Sequence, residues 1–580
     1  MSTVKELPYG VSDFTDLRRA GCYYADKTQY IPTMEKAGRF LFLIRPRRFG
    51  KSVFLSMLAA YYDIARQDKF EELFDGLWIQ QHPTSEKGVY QVMYLDFSQA
   101  TVGLDGTLKQ RFDQYCSIKF KSFAHKYAKH YEHNFVEKVE QFGTNSSAQL
   151  GFICDEAKKQ NHQLYLIIDE YDNFTNNVLN EEGEQVYHAL THATGFYREV
   201  FKIYKANFQR ILMMGVSPVT LDDLTSGFNI ALNITADPDF NMMLGFSETD
   251  VRDMIAYYRE AGLIKADTEE MIAEMKPWYD NYCFARASLK TDPKMFNSDM
   301  VIYYIRNHVA HGESPEQMLD ANTRTDYKKL KRLVELDGMS ERERGYIQQI
   351  AAEGSIVADL HYSFPAERIF DEGNFISLLY YYGMLTIVGT NMDELVLGIP
   401  NNNVRKQYYD YILEECRHNA AINISQLRAA YRTMASRGDI KPAITLIAEA
   451  YKNTSSVRSS IEGERNFQGF MCAYFSMTSL YLIAPEVEMS HGYCDIFLMP
   501  DRKRYPEVAH SYIIELKYLT AKDTDATAEE QWTEAIDQVR RYTGDRKVQQ
   551  MTRDTELHLI RMQMRTTELL RIEEVQPAAM

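Results

Sequence analysis

Four short apolar runs, separated by longer amphipathic stretches, constrain the fold of the first 245 residues more than any other feature of this sequence. The runs lie at residues 39–45, 92–97, 164–168 and 211–216. Runs of this length that are apolar on both faces and alternate with helical periods are typical of strands that helices cover on both sides. The pattern therefore predicts a parallel sheet in an α/β domain.

The rest of the 580-residue chain divides into a helical stretch and a second region of strands. At about 150 residues per domain, a chain of this length predicts roughly three or four domains. Helical periods fill residues 246–455, and strands return after residue 461. We therefore predict an α/β protein with a parallel-sheet P-loop domain at 1–245, a helical lid and connector at 246–455, and a second α/β domain at 456–580.

Composition narrows the class of protein. Hydrophobic residues make up 45% of the chain, which argues against disorder, and the formal net charge of −16 argues against a uniformly basic nucleic-acid-binding surface. The seven cysteines form no CxxC pair, so a zinc ribbon or a disulfide framework is not expected. The first ten residues lack an apolar leader segment, and no stretch approaches the roughly 18 apolar residues of a spanning helix. We expect a cytoplasmic protein with no membrane partner.

A strand, a turn and a helical run follow one another at residues 40–56, FLFLIRPRRFGKSVFLS. In a P-loop, the backbone amides face the phosphates, the lysine reaches the β and γ phosphates, and the serine binds Mg²⁺. Six basic residues and no acidic one lie between Glu35 and Asp63, but the pattern GxxxxGK[ST] would require a glycine where Arg45 stands. The segment predicts binding of ATP and Mg²⁺ by Arg47, Arg48, Phe49, Gly50, Lys51 and Ser52.

Two later apolar runs end in polar residues that suit the same site. The run at 164–168 is followed by Asp169 and Glu170, and the run at 211–216 is followed by Ser217. Asp169 would hold Mg²⁺, and Glu170 would orient or activate the water that attacks the γ-phosphate. Ser217 would contact the γ-phosphate, although a serine before a proline is also an ordinary turn residue. Two acidic residues can likewise simply end a strand.

Several motifs together resemble a known family of bacterial proteins, the AAA-ATPase-like family. They are LPYG at 7–10, YYADKT at 23–28, RPRRFGKS at 45–52, DEYD at 169–172 and GVSP at 215–218. The resemblance implies that Arg45 belongs to the family's own form of the P-loop. It also implies a PD-(D/E)XK nuclease-like domain, with a restriction-endonuclease-like α/β fold, at the C-terminus. WYD at 278–280 is similar too, although Asn281 stands where a glycine is expected.

The C-terminal region contains the residues that such a nuclease domain needs. Asp495 lies in one predicted strand, and Glu515 and Lys517 share one face of the next because they are two residues apart. A buried charged pair is costly unless it is paired or binds metal. In the PD-(D/E)XK arrangement Asp495 and Glu515 would bind Mg²⁺, and Lys517 would position the attacking water. The alternative is an exposed edge strand with an ion pair.

Four further positions belong to the same prediction. Glu488 and Glu464 are additional candidate metal ligands, and Tyr542 lies with Gln538 on one helical face that loosely matches a helix of the family.

The sequence thus leads to two functional hypotheses. The first is an ATPase coupled to a Mg²⁺-dependent nuclease that acts on DNA or RNA, with Glu170, Asp495, Glu515 and Lys517 as catalytic residues. The alternative is a nucleotide-dependent switch whose nuclease-like domain binds nucleic acid or a protein without cleaving it. The expected cofactors are ATP and Mg²⁺. The expected partner is nucleic acid, with DNA favoured over RNA. Assembly into a homo-oligomer stays open.

Overall fold

The chain folds into two compact units, and the first of them is discontinuous in sequence. Unit 1 comprises Met1–Asp320 and Ala358–Asn401, and unit 2 comprises Ala321–Val357 and Asn402–Met580. The computed structural model describes residues 4–100, 107–173, 196–218, 231–291, 294–320, 341–365, 368–371, 373–416, 422–455, 463–489 and 492–576. The three domain ranges drawn from the sequence stay a prediction.

A parallel sheet forms the centre of the N-terminal part of unit 1. Its strands are β1 (Phe40–Ile44), β2 (Tyr90–Asp96), β3 (Gln163–Asp169), β4 (Arg210–Gly215) and β5 (Leu232–Asn233), in the order β2-β3-β4-β1-β5. All of the described pairings are parallel. The four predicted apolar runs are thus β1 to β4, and the expected parallel sheet is confirmed.

The register of this sheet brings several strand ends to one edge. Ile44 pairs with Gly215, and Asp96 pairs with Asp169. The loops that follow β1, β3 and β4 therefore start side by side, because parallel strands have their carboxyl ends at the same edge. The helix Lys51–Tyr62, which begins directly after the loop of β1, packs against β2 and β3 and buries Phe54, Leu55 and Leu58.

Helices that pack on the sheet and a separate helical cluster complete unit 1. The cluster packs Glu248–Glu260, Thr268–Tyr279 and Ser298–His311 around a core of its own. The other described α-helices are Phe14–Arg19, Ile31–Ala37, Phe70–Phe74, Trp78–Gln81, Leu108–Tyr127, Phe135–Gln141, Ser146–Lys159, Phe196–Asn207 and Asn374–Tyr381. Short 3-10 helices lie at Thr28–Tyr30, Ile64–Lys69, Phe97–Gln99, Ala128–His130, Pro238–Phe240 and Arg286–Thr291.

Asn281, which follows the helix Thr268–Tyr279, has a left-handed backbone with φ of 79°. Asparagine adopts this conformation more readily than other non-glycine residues. The conformation explains how asparagine can stand where the family resemblance leads one to expect glycine.

The middle of the chain contains more strand than the sequence pattern indicated. β6 (Ser355–Ala358), β7 (Thr386–Asn391) and β8 (Glu394–Gly398) lie within the stretch that was predicted to be helical, and β7 and β8 form an antiparallel hairpin. These strands are short, and much of β7 is exposed. They therefore contain too few apolar residues to show the two-residue period of a strand in the sequence. Helices such as Glu248–Glu260 and Asn374–Tyr381 are nevertheless present among the described residues of this stretch, whereas the helical period at 327–335 lies outside them.

The second stretch of unit 1, residues 358–401, packs onto the first. The Tyr380 hydroxyl donates to the carbonyl of Phe284 at 3.0 Å. A Cβ at Gly383 would lie 2.9 Å from the ring of Pro46, and Gly383 has φ of +76°. Only glycine therefore fits this close approach to the loop that follows β1.

Unit 2 is built around a mixed five-stranded sheet. Its strands are β9 (Tyr481–Met489), β10 (Gly492–Pro500), β11 (His510–Leu519), β12 (Glu556–Arg565) and β13 (Glu568–Val575), in the order β13-β12-β11-β10-β9. β11 and β12 are parallel and joined through the helix Asp525–Tyr542, and the other neighbours are antiparallel. The other described helices are Glu341–Glu353, Asn402–Cys416, Ile424–Arg437, Lys441–Ser455, Glu464–Phe475 and Arg546–Met551. In the part of the chain described, no helix has both the length and the apolar character that crossing a bilayer requires.

Candidate active sites

The loop between β1 and the helix Lys51–Tyr62 has the backbone of an anion-binding loop. Arg48 has φ of 67° and Gly50 has φ of 82°. Left-handed residues alternating with right-handed ones turn successive backbone N–H groups toward one concavity. A Cβ at Gly50 would meet only the Ser298 hydroxyl, at 3.9 Å, so glycine is required there by conformation and not by space. The amides and the helix N-terminus can together receive phosphate oxygens.

Lys51 lies inside this loop. Its Nζ donates to the carbonyl of Arg45 at 3.0 Å and to that of Pro46 at 2.8 Å. Burial lowers the pKa of Lys51 to about 8, while the nearby carboxylates of unit 1, Asp169 foremost, act in the opposite direction. An ammonium group that lacks a full counter-charge is suited to receive an anion.

Ser52 and Asp169 meet where the ends of β1 and β3 come together. The Ser52 hydroxyl donates to Asp169 Oδ2 at 2.6 Å, and the Tyr94 hydroxyl donates to the same oxygen at 3.3 Å. Burial raises the pKa of Asp169 to about 6, although Ser52 and Lys51 favour the ionised form. A hydroxyl and a carboxylate in contact are the hard oxygen ligands that Mg²⁺ prefers, so these residues fit the ion.

Glu170, the next residue, has a strained backbone with φ of 49°. Its N–H donates to Asp169 Oδ1 at 3.0 Å, and its Oε2 accepts from Asn173 Nδ2 at 2.6 Å. Left-handed non-glycine residues cost energy and persist where their surroundings fix them. The turn at Glu170 thus holds a second carboxylate beside Asp169.

Asp172 joins the end of β3 to the end of β4, a connection that the sequence did not reveal. Its carboxylate accepts from the N–H of Ser217 at 2.7 Å and from that of Val216 at 3.2 Å. The Tyr171 hydroxyl donates to the Ser217 carbonyl at 2.7 Å. The DEYD and GVSP motifs therefore form one hydrogen-bonded unit, in which Ser217 is fully buried.

The placement of the Arg45 side chain shows how this loop accommodates an arginine where the P-loop motif has its first glycine. The side chain turns away from the loop, donates to the carbonyls of Thr235 at 2.7 Å and Phe240 at 3.0 Å, and lies 4.2 Å over the ring of Phe284. Burial lowers its pKa to about 10. Arg45 therefore fastens the start of the loop to the segment after β5.

The remaining loop residues are placed by their neighbours. Arg48 forms an ion pair with Asp299, and Phe49 packs edge-on against Tyr282 and Phe284, with ring centroids 4.9 and 5.5 Å away. Arg47 lies close enough to Lys51 to lower the pKa of that lysine. A cavity of about 300 Å³ opens beside Ser52 and Asp169 and extends toward Asp63, Arg66 and Lys126. All the predicted ligands of the loop are thus brought to one edge of the sheet.

The second candidate site lies where β10 and β11 separate. Asp495 Oδ2 accepts from the N–H of Leu516 at 2.5 Å. Glu515 Oε1 receives the Lys517 ammonium at 3.2 Å, and Glu515 Oε2 accepts from the Tyr542 hydroxyl at 3.1 Å. The structure therefore brings Asp495, Glu515 and Lys517 together, with Tyr542 as a further member.

Burial and mutual repulsion act on the carboxylates of this site. Burial, and then the charge of Glu515, raise the pKa of Asp495 well above its ordinary value. Burial also raises the pKa values of Glu515 and Glu464, although Lys517 lowers both. Clustered carboxylates that resist ionisation together are stabilised by a divalent cation, and their oxygens form a donor set that fits Mg²⁺.

Glu486 is a functional candidate that the sequence did not distinguish. Its Oε1 accepts from Gln468 Nε2 at 2.9 Å, and the same Nε2 donates to the carbonyl of Asp495 at 2.8 Å. Glu488 is two residues further along β9, opposite Tyr493, and its side chain lies outside the described part of the structure. Alternate residues share one face of a strand, so period alone cannot choose between the two glutamates. Glu488 stays a prediction.

The helix Asp525–Tyr542 carries the loosely matched family positions. Tyr542 donates both to Glu515 and to the carbonyl of Tyr493, at 2.7 Å for the latter. Gln538 lies one turn earlier, and its buried Oε1 has no hydrogen-bond partner among the described residues. The helix thus presents two polar side chains, of which Tyr542 reaches the acidic cluster.

These two sites define the class: an ATPase-like P-loop domain and a nuclease-like domain in one chain. Residues 8–225 match the family described as "Predicted AAA-ATPase", and residues 462–574 match the PD-(D/E)XK nuclease superfamily. The N-terminal part of the chain is thus similar to the AAA-ATPase-like family, and its C-terminal part is similar to the PD-(D/E)XK nuclease superfamily. The resemblance inferred from its motifs and the predicted α/β fold class are confirmed.

One protein sequence and two solved structures are similar to large parts of the chain at low identity. An uncharacterized protein from the vnfD 5′ region of Azotobacter chroococcum mcd 1 is 25% identical over 292 residues, which is 48% of this chain and 48% of that protein. The match therefore spans about half the length of that relative.

Two solved structures from Aeropyrum pernix are also similar. The ORC2 protein in its ADPNP–ADP complexes has a TM-score of 0.31 and 11% identity, covering 67% of this chain and 93% of that one. The ORC1 protein in complex with DNA has a TM-score of 0.26 and 9% identity, and the match covers 66% of this chain and 90% of that one. Similarity at this level carries no argument about activity.

Proposed function

We propose that this protein hydrolyses ATP at the P-loop site and cleaves phosphodiester bonds of nucleic acid, DNA before RNA, at the site of Asp495, Glu515 and Lys517. The contact between Ser52 and Asp169 at 2.6 Å supports the first activity. The second is supported by Lys517, which lies 3.2 Å from the Glu515 carboxylate, and by Asp495, which accepts from the N–H of Leu516 next to Glu515.

In the ATPase reaction, the loop amides and Lys51 bind the phosphates. Lys51 exchanges a carbonyl partner for a phosphate oxygen. Ser52 and Asp169 would hold Mg²⁺, and the ion would supply charge neutralisation for the phosphates. Glu170 orients the attacking water and accepts its proton, since its carboxylate is fixed by Asn173 at 2.6 Å. Ser217 lies at the end of β4, between the strands that carry the other groups, where it can contact the γ-phosphate.

In the nuclease reaction, Asp495 and Glu515 would hold the metal, with Glu486 or Glu464 as a further ligand. A metal bound there would supply an activated water and charge to offset that which develops on the phosphate. Lys517 orients that water and donates to the phosphate oxygen. Tyr542 keeps Glu515 in place through its hydroxyl.

The test incubates purified full-length protein with labelled single-stranded DNA, duplex DNA and RNA, with and without Mg²⁺ and ATP. We expect Mg²⁺-dependent cleavage that Lys517→Ala and Asp495→Asn abolish. Lys522→Ala, at an exposed position just beyond β11, is the control and should cleave normally. Binding without cleavage by the wild type would instead favour the nucleotide-dependent switch.

ATP hydrolysis is measured separately on the same preparations. Lys51→Ala should remove it, while Lys36→Ala, an exposed lysine on the helix Ile31–Ala37, should leave it unchanged. Undiminished turnover in Lys51→Ala would exclude the loop from the reaction.

A further inference from the structure

A second cluster of side chains that can bind metal lies at the start of β11, away from Glu515 and Lys517 on the same strand, and at the start of its neighbour β12. His510 begins β11 and Glu556 begins β12, and the two residues are register partners in the parallel pair. His558 follows Glu556 on the same face of β12, two residues further along. The pairing of the two strands therefore places two imidazoles and a carboxylate side by side.

The ligand atoms of these residues are spaced as one metal ion requires. His510 Nδ1 lies 3.0 Å from His558 Nε2 and 3.4 Å from Glu556 Oε2, and the three ligand atoms all lie within 4.8 Å of one another. Nitrogen and oxygen ligands at about 2.0–2.1 Å from a tetrahedral zinc ion are separated by roughly 3.3 Å. A small ion can therefore enter with little movement of the side chains.

A fourth residue prepares one of the imidazoles for coordination. His558 Nδ1 lies 2.7 Å from Glu574 Oε1 on β13. A carboxylate in this position accepts the proton of Nδ1, so the lone pair of Nε2 is directed at the cluster. The ring of Tyr512 stacks on His558 with centroids 5.0 Å apart and fixes the plane of the imidazole. Such carboxylate–histidine pairs are typical of metal ligands.

The surroundings of the cluster also favour a cation. Gly438, the residue that ends the helix Ile424–Arg437, packs so closely that a Cβ there would lie 2.7 Å from His558 Nε2 and 3.0 Å from His510 Nδ1. The carbonyl end of a helix carries partial negative charge, which stabilises a nearby positive charge. Glycine both permits the left-handed turn, with φ of 72°, and leaves room beside the two imidazoles.

We propose that His510, Glu556 and His558 form a Zn²⁺ site in unit 2, with Glu574 as the residue that orients His558. Two imidazoles and one carboxylate are a zinc donor set, and the fourth position is open to water. The site is separate from the proposed nuclease centre and does not depend on that activity. Zinc here ties the starts of β11 and β12 together and so holds the register of the two strands.

The experiment uses metal-stripped full-length protein carrying Asp495→Asn, so that zinc bound at the nuclease site does not obscure the result. Zn²⁺ is titrated, and bound metal is measured by elemental analysis alongside the melting temperature. We expect one zinc per chain and a higher melting temperature when it is bound. Co²⁺ in place of zinc should give the visible absorption band that is typical of tetrahedral coordination.

Three variants decide between a zinc site and a plain pair of histidines. Glu556→Gln changes a side chain that is 69% exposed, so the fold is retained, and it should weaken zinc binding at least tenfold, as should His510→Asn. Glu574→Gln should weaken it about 10- to 100-fold, because the oriented imidazole loses its charged partner. The control is His125→Asn, which breaks an exposed pair with Glu140 at 3.1 Å and should bind zinc normally. Failure of the parent to retain zinc, or equal binding by Glu556→Gln and the parent, would overturn the proposal.

Discussion

At the scale of single residues, Arg45 shows how a departure from a motif can be a structural device. The first position of the P-loop pattern normally needs glycine, yet here a fully buried guanidinium occupies it and binds the carbonyls of Thr235 and Phe240. The loop can accept a large residue because the side chain points out of the phosphate concavity. Sequence alone identifies Arg45 as a family trait, but its partners lie 190 and 195 positions away and had no pattern to indicate them.

Arg45→Met tests this role. The variant keeps the aliphatic volume but leaves two buried carbonyls unpaired, at a cost of roughly 1–3 kcal/mol each. We therefore expect the melting temperature to fall by several degrees and ATP binding to weaken. Arg39→Met, at an exposed arginine that donates to the carbonyl of Gln209, is the control and should change little. A melting temperature equal to that of the wild type would contradict the role of Arg45.

The raised pKa of Asp169 predicts a pH dependence of ATP hydrolysis. With a pKa of about 6 instead of 3.8, Asp169 becomes protonated as the pH falls through 6, and a protonated carboxyl is a poor ligand for Mg²⁺. Activity should therefore fall below about pH 6. Because metal and proton compete, higher Mg²⁺ concentration should move the midpoint to lower pH. A midpoint insensitive to Mg²⁺ would assign the titration to another group.

At the scale of elements, the sequence predicted the buried strands well and the exposed ones poorly. β1 to β4 were found as apolar runs because nearly all of their residues are buried, on both faces, and β3 was placed within a residue at each end. β5 has two described residues, and β7 is exposed over much of its length, so neither leaves a period to detect. On β9 the limit is a different one, because Glu486 and Glu488 share one face of the strand and the pattern cannot distinguish them.

Gly215→Ala tests how strictly the end of β4 is placed. A Cβ at this position would overlap the Asp172 carboxylate and lie 2.5 Å from the ring of Tyr171. The strand end must then shift and carry Ser217 with it, so we expect a slower ATP turnover and a loss of roughly 1–3 kcal/mol in stability. Turnover and melting temperature are measured together.

The matched control is Gly151→Ala in the helix Ser146–Lys159. A Cβ there meets nothing within 4 Å, and alanine is favoured over glycine in a helix by about 0.5–1 kcal/mol. This variant should be at least as stable as the wild type. If both glycine variants behaved alike, the contact with Asp172 would not constrain the site.

Tyr542→Phe tests the support that the helix Asp525–Tyr542 gives to the nuclease site. The hydroxyl donates to Glu515 and thereby lowers the pKa of that carboxyl, which burial raises. Without it the pKa of Glu515 rises further, so the acid limb of the cleavage profile should move to higher pH and the rate at neutral pH should fall. Tyr505→Phe, on a half-buried tyrosine whose hydroxyl contacts Ser479, should keep the profile of the wild type. If the pH profile of cleavage did not shift in Tyr542→Phe, the hydroxyl would contribute to packing only.

At the scale of the whole molecule, the two units place an ATPase-like and a nuclease-like site in one chain with a formal charge of −16. That charge is not evenly spread, since the P-loop segment is basic while the C-terminal site gathers carboxylates. The sequence could indicate both sites because each consists of residues close together along a few strands. It could not indicate the discontinuity of unit 1, which depends on packing between distant segments.

If the two activities are coupled, nucleotide should change cleavage. We expect the rate of cleavage by the wild type to differ with and without ATP, and Lys51→Ala to cleave at a rate that no longer responds to ATP. Asp495→Asn should in turn keep its ATP turnover, because its change lies in unit 2. The rates are measured on one substrate at fixed Mg²⁺. A nucleotide response that persists in Lys51→Ala would show that ATP acts elsewhere.

The return of residues 358–401 to unit 1 affects the order of events during synthesis. Gly383 packs against Pro46 of the phosphate loop, so the loop acquires this contact only after more than 330 further residues (383 − 46 = 337) have been translated. At about 5–20 residues per second, the ribosome needs tens of seconds to cover that distance. During synthesis the phosphate site is therefore completed only when residues 358–401 emerge, after the first residues of unit 2. A nascent chain that ends before these residues does not yet contain a complete unit 1.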